Sequence, residues 1–180
     1  MRGQHFFKAE LLVEQINPYV VVPSRVSDDL GDVFPIPVRV RFSRGEEDGD
    51  QEDDLQERLG KDFECLVAIA RVSTDGWFRT SVVRRKGEAW LFVDKWMRKA
   101  AGSVSGDYVR IQIEFDDGDR EITVPDPLKL LLKSETGLRQ RWRDLSPSRK
   151  KEILTYLNML KSDAALNKNI EQLAQDLKGD

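Results

Sequence analysis

Residues 36–42 read Ile36-Pro37-Val38-Arg39-Val40-Arg41-Phe42, with apolar side chains at every second position and Arg39 and Arg41 between them. Period 2 marks a strand with one face in a core and the other in water. Working outward, Val109, Ile111, Ile113 and Phe115 alternate in the same way with Arg110, Gln112 and Glu114. Phe7, Ala9, Leu11 and Val13 do so against Lys8, Glu10 and Glu14. Phe63 to Ala70 is apolar on both faces, and with β-branched Val67 and Ile69 it reads as a buried strand that takes Cys65 inside as a small hydrophobe. Asp75-Gly76, Lys86-Gly87 and Asp117-Gly118 read as hairpin turns, because glycine accepts the positive φ that such turns require. Six to eight short strands at this spacing, with no long helix before residue 126, predict an antiparallel sheet that closes into a small barrel and so hides its edges.

A short internal repeat accompanies the strands. Val22-Pro23, Val93-Asp94 and Val124-Pro125 each precede apolar residues at a spacing of four: Val26 and Leu30, Met97 and Ala101, Leu128 and Leu132. That spacing predicts three short helices, each opened by a proline or a capping aspartate. Beyond Val124 the period changes to 3.6. Leu128, Leu131 and Leu132 form one stripe, and Leu138, Trp142 and Leu145 another. Ser146-Pro147 then opens a helix with Ile153, Tyr156, Leu157 and Leu160 on its apolar face. Asp163 caps a last helix that carries Leu166, Ile170, Leu173, Ala174 and Leu177 and ends near Gly179. The expected fold class is mainly β with α: a closed antiparallel β-barrel of about six strands at 1–125, then a helical module at 126–180.

Composition narrows the function. The 180 residues are 39% apolar and 34% charged, a globular balance, and 29 basic against 32 acidic side chains leave a net charge of −3. An anionic partner must therefore meet a local patch rather than the average field. A single cysteine, Cys65, closes no intramolecular disulfide, and a single histidine, His5, builds no Cys/His metal site. Neither a cofactor nor a metal is expected. No apolar stretch reaches membrane-spanning length, and Met1-Arg2-Gly3-Gln4 opens no secretory signal, so the expectation is a cytoplasmic protein without membrane insertion.

Charge is uneven along the chain. Residues 43–62 carry nine acidic and three basic side chains, a net of −6, and read as a flexible acidic insertion. Asp48, Asp50, Asp53 and Asp54 lack the glycine and glutamate of a calcium loop. From Lys129 to Lys168 the balance reverses to ten basic against four acidic, a net of +6. This pairing suggests that the insertion competes with anions for the basic surfaces.

Several segments then occur in a recognisable order: Gly76-Trp77-Phe78-Arg79-Thr80-Ser81, Met97-Arg98-Lys99-Ala100-Ala101-Gly102, Gly106-Asp107-Tyr108-Val109 and Arg120-Glu121-Ile122-Thr123-Val124-Pro125. Together with Phe7–Leu11 and Val20–Pro23, this order resembles a bacterial small-barrel domain of unknown function. In that family the barrel is often followed by a helical module named for bacteriocin protection, also called YdeI/OmpD-associated. Leu145-Ser146-Pro147-Ser148-Arg149-Lys150-Lys151 resembles its opening. The chain departs from the module's arginine steps, having Leu160-Lys161, Ala164-Ala165 and Lys168-Asn169 instead. The resemblance implies a role linked to bacterial stress or antimicrobial-peptide tolerance and no catalytic residues.

Three functional readings follow. The first is a non-enzymatic binding module that takes a small molecule or peptide at the barrel mouth, near Trp77, Arg79, Thr80, Trp96, Arg98 and Lys99, where aromatic and cationic residues gather. The second is a nucleic-acid-binding barrel, since Val93 through Ile113 also resembles half of a transition-state-regulator DNA-binding barrel. The third is enzymatic, from Glu10, Glu64 or Asp107, or from Thr80 and Ser81 with His5 as base. No spacing pairs these groups, so no catalytic residue is expected.

Overall fold

The alternation at 36–42 produces the strand it predicts. Ile36, Val38, Val40 and Phe42 are buried while Arg39 and Arg41 stay half-exposed. The computed structural model describes residues 3–44 and 55–179, and contacts divide the chain into two units, residues 1–63 with 71–119 and residues 64–70 with 120–180.

The first unit is built on a seven-stranded antiparallel sheet. Its strands are β1 (His5–Glu10), β2 (Leu12–Glu14), β3 (Asn17–Val22), β4 (Ile36–Arg44), β5 (Phe78–Arg85), β6 (Glu88–Phe92) and β7 (Tyr108–Phe115). They lie in the order β1-β7-β4-β5-β6-β3-β2. Lys86-Gly87 closes the β5–β6 hairpin with φ of 50° and 83°, both left-handed as a two-residue turn between twisted strands requires. Two short helices follow strands, as the repeat predicts: α1 (Ser24–Leu30) buries Val26 and Leu30, and α4 (Lys95–Ala101) buries Met97 and Ala101.

The expected closed barrel is corrected. Among the described residues β1 pairs only with β7 and β2 only with β3, so each is an edge, and no ladder joins them. The two edges follow each other in the chain with Leu11 alone between them, and an antiparallel pair needs at least a two-residue turn. Leu11 instead bonds to the loop before β7: its N–H donates to Asp107 O at 2.9 Å, and its carbonyl accepts from Gly106 N at 2.9 Å. The step also turns Val13, expected on the core side, out to 45% exposure. The architecture is mixed α/β: an open sheet with helices, followed by helices.

A second correction concerns 63–70. These residues form not a strand but α3 (Asp62–Ala68), which follows α2 (Leu55–Leu59) through left-handed Gly60. A short run apolar on both sides serves a buried helix as well as a strand, and local turns decided it: Phe63 N donates to Gly60 O, and Ile69 N to Cys65 O. Only Leu66 of α3 is buried, and Cys65 is half-buried. Of the acidic segment, residues 45–54 lie outside the described residues, and its flanks belong to β4, α2 and the start of α3 rather than to a loop. Asp117-Gly118 makes no hairpin either, since no strand follows β7 among the described residues.

The second unit contains α5 (Asp126–Ser134), α6 (Thr136–Asp144), α7 (Pro147–Asn158) and α8 (Asp163–Lys178). Leu128, Leu154, Leu157 and Ile170 form its core, with Ile122, Val124, Trp142 and Leu166 packed against it. Ser146 caps α7 by accepting from Arg149 N at 3.2 Å. Ser162, rather than Asp163, caps α8 by accepting from Ala165 N at 3.2 Å. Leu154 takes the buried place expected for Tyr156, which is largely exposed. Thr123 N donates to Ala68 O, so the end of α3 is bonded to the segment that leads into α5.

Candidate functional site

Because β4 buries its even-numbered residues, Arg39 and Arg41 must lie on the opposite, outward face of the sheet. Cross-strand register then fixes their neighbours. Arg39 lies opposite Glu114 of β7 and Arg79 of β5, and Arg41 lies opposite Gln112. On β1, Lys8 lies opposite Arg110 and Phe6 opposite Gln112. The outward face of β1, β7, β4 and β5 therefore carries Lys8, Arg110, Arg39, Arg41 and Arg79, against Glu10 and Glu114 from the same strands.

One end of this face is a tight ionic network. Arg39 is bonded to Glu114, which also accepts from Gln4 Nε2 at 3.1 Å, and Arg39 Nη1 reaches Asp75 Oδ2 at 3.2 Å. Arg41 donates to the Asp75 carbonyl. Beneath them Trp77 is 4% exposed, with the guanidinium carbons of Arg39 and Arg41 at 4.9 and 4.6 Å from its ring, a double cation–π contact. The Ser73 hydroxyl bonded to the Asp75 carboxylate is the main cause that holds this carboxyl below its ordinary value of 3.8; burial opposes it, and the charges of Arg39 and then Arg41 add to the lowering.

Arg79 is committed to the loop after β7. It donates to Asp119 O, and its Nε lies 3.7 Å from Asp116 Oδ2. A Cβ on Gly118 would stand 2.5 Å from Arg79 Nη2 and 3.1 Å from Asp116 Oδ1, so a side chain there would push the guanidinium aside. Thr80 points the other way, with Phe78 and Val82, toward the core side.

The remaining sequence candidates lie on α4. Asp94 caps this helix by accepting from Trp96 N and Met97 N at 2.8 and 2.9 Å, and it is paired with Arg71. Trp96 is half-buried under Lys95, whose Nζ is 4.4 Å from its ring. At the other end, Arg58 of α2 donates to Ala100 O, and Lys99 lies 3.7 Å from Asp62. Arg58, Lys99 and Ala100–Gly102 line an open depression of about 440 Å³. The buried Nε of Arg98 and Oγ of Ser103 make no hydrogen bond among the described residues. The six candidates thus divide into an outward set (Trp77, Arg79), an inward residue (Thr80) and a helix set (Trp96, Arg98, Lys99). Arg71 links the first set to the third: its carbonyl accepts from Arg79 N while its side chain holds the α4 cap.

Phe6 and Tyr108 are not among the candidates that the sequence singles out. Both lie on the outward face and are 65% and 57% exposed. The signal was present: Phe6 shares the parity of Lys8 and Glu10, and Tyr108 that of Arg110, so both fall on the polar side of an alternating strand.

His5 Nε2 lies 2.7 Å from Asp29 Oδ2. In the sheet order its strand is three positions from β5, roughly 14 Å at the usual strand separation, so it does not reach Thr80 or Ser81. Asp107 closes a turn, its N–H donating to Val104 O and its Oδ2 accepting from Val104 N. Among the described residues no three His, Cys, Asp or Glu side chains group as metal ligands, and no helix is long and apolar enough to cross a membrane.

No curated protein and no solved structure matches the chain significantly. A family model described as OmdA, bacteriocin-protection, YdeI or OmpD-associated matches residues 121–179, less than half of the chain, which include α5 to α8 and lie outside the sheet.

Proposed function

We propose that the sheet unit is a non-enzymatic binding module for a polyanion, which it receives on the outward face of β1, β7 and β4. The observation that carries this reading is the segregation of Lys8, Arg110, Arg39 and Arg41 onto one face, in a chain whose net charge is −3. Glu114 and Asp75 neutralise much of the Arg39 end, and with Glu10 the face still holds fewer acids than cations.

Heparin titrations of the full chain across a salt series test this. The wild type should bind at low salt with an affinity that falls steeply as salt rises, and the Lys8→Ala/Arg110→Ala double variant should lower the magnitude of the log–log salt slope by about 2. Absence of binding at low salt, or an unchanged slope, would overturn the reading.

A second reading, a small anionic ligand at the C-terminal end of α4, is favoured by the depression that Arg58 and Lys99 share. Native mass spectrometry of the purified protein tests it: a retained mass that Lys99→Ala abolishes supports the site, and bare protein counts against it. The family match of residues 121–179 supports a contribution to bacteriocin tolerance. Cells expressing the full chain should survive bacteriocin challenge better than cells expressing a variant with a disrupted helical core, and equal survival would refute that role.

A further inference from the structure

We infer that the β1–β7 part of this face is a stacking platform for single-stranded nucleic acid, an inference that rests on the polyanion reading and adds the class of ligand. Two aromatic rings stand in water there, Phe6 at 65% and Tyr108 at 57% exposure. Exposed aromatics on a strand face cost solvation without contributing to a core, and they are what a ligand with π-faces requires.

The register sets their spacing. Phe6 lies in the row of Gln112, Lys8 in the row of Arg110, and Glu10 in the row of Tyr108. Successive rows are two residues apart along the strand, about 7 Å, so the two rings are separated by roughly 14 Å with the Lys8–Arg110 row between them. That distance far exceeds the ~3.4 Å rise of stacked bases in a duplex. The two rings therefore suit non-adjacent bases of an unstacked strand, whose phosphates cross the two cations between them. Lys8 Nζ lies over the Tyr108 ring, 5.5 Å from its centroid, a cation–π contact that a phosphate drawing the ammonium toward the strand would release for a base. A duplex, with its bases turned inward, engages only the cations.

The test compares fluorescence anisotropy of labelled oligothymidylate with that of an abasic strand of equal length and charge, using the full chain at low salt. Oligothymidylate should bind more tightly. Phe6→Ala and Tyr108→Ala should each weaken it by about 5- to 150-fold while leaving abasic binding unchanged, and Tyr108→Phe should retain affinity. Equal binding of the two strands, or silent alanine variants, would overturn the platform and leave the polyanion reading standing. If neither strand binds, both fall. Both side chains are largely exposed, so the variants should melt as the wild type does, and circular dichroism separates lost binding from lost fold.

Discussion

Arg79 shows how one side chain can organise a loop. Its guanidinium holds Asp116 and the Asp119 carbonyl, and Gly118 is placed where a methyl group would collide with it. Gly118→Ala should push the guanidinium off Asp116 and cost about 0.5 kcal/mol in urea denaturation, the scale of one partly exposed ion pair; an unchanged midpoint would show that the arginine swings aside freely. Asp75 gives a pH-dependent counterpart. Its folded pKa lies below its unfolded one, first because of the Ser73 hydroxyl and then because of Arg39, so its stabilisation is present above pH ~4 and is lost as pH falls through the folded value. The carboxylate is about half exposed, which limits the contribution to below about 1 kcal/mol. Asp75→Asn should lower Tm slightly at pH 7, and the difference should close below pH ~4. A difference that persists in acid would assign the effect to packing instead.

At the scale of elements, alternation and turn chemistry made β4, β7, the β5–β6 hairpin and the three repeated helix starts legible in advance. Each depends on nearest neighbours in the chain: Ile36 to Phe42 on one face, Lys86-Gly87 at positive φ, Pro23, Asp94 and Pro125 before a helix. The failures were of another kind. Residues 63–70 satisfy strand and helix patterns equally, and the deciding bonds run through Gly60, which no periodicity reports. The open edges follow from a one-residue step at Leu11, whose partners Gly106 and Asp107 lie about a hundred positions away in sequence. Phe6 and Tyr108 each stand one residue before the alternating runs that begin at Phe7 and Val109, so they drew no assignment; parity, which places them outward, is the guide. The helical unit offers a local test. Gly137 sits in the first turn of α6 with nothing within 4 Å of where its Cβ would be, so Gly137→Ala should raise stability by about 0.5 kcal/mol through backbone entropy. A destabilised variant would imply that this helix start needs glycine for a reason other than space.

For the whole molecule, charge placement matters more than charge total. A chain of net −3 concentrates acids at 43–62, bases at 129–168, and a further set of cations on one face of an open sheet. Such segregation costs self-repulsion, and a polyanionic partner would offset it. The family match to residues 121–179 concerns the helical unit alone, so the sheet's role rests on its own geometry. The measurement that tests the central claim most directly is a map of amide chemical shifts on titration of the full chain with oligothymidylate at low salt. The account predicts that perturbations concentrate in β1, β7 and β4, around Phe6, Lys8, Arg41, Tyr108 and Arg110. Perturbations confined to the end of α4 or to the helical unit, or none at saturating concentration, would contradict it.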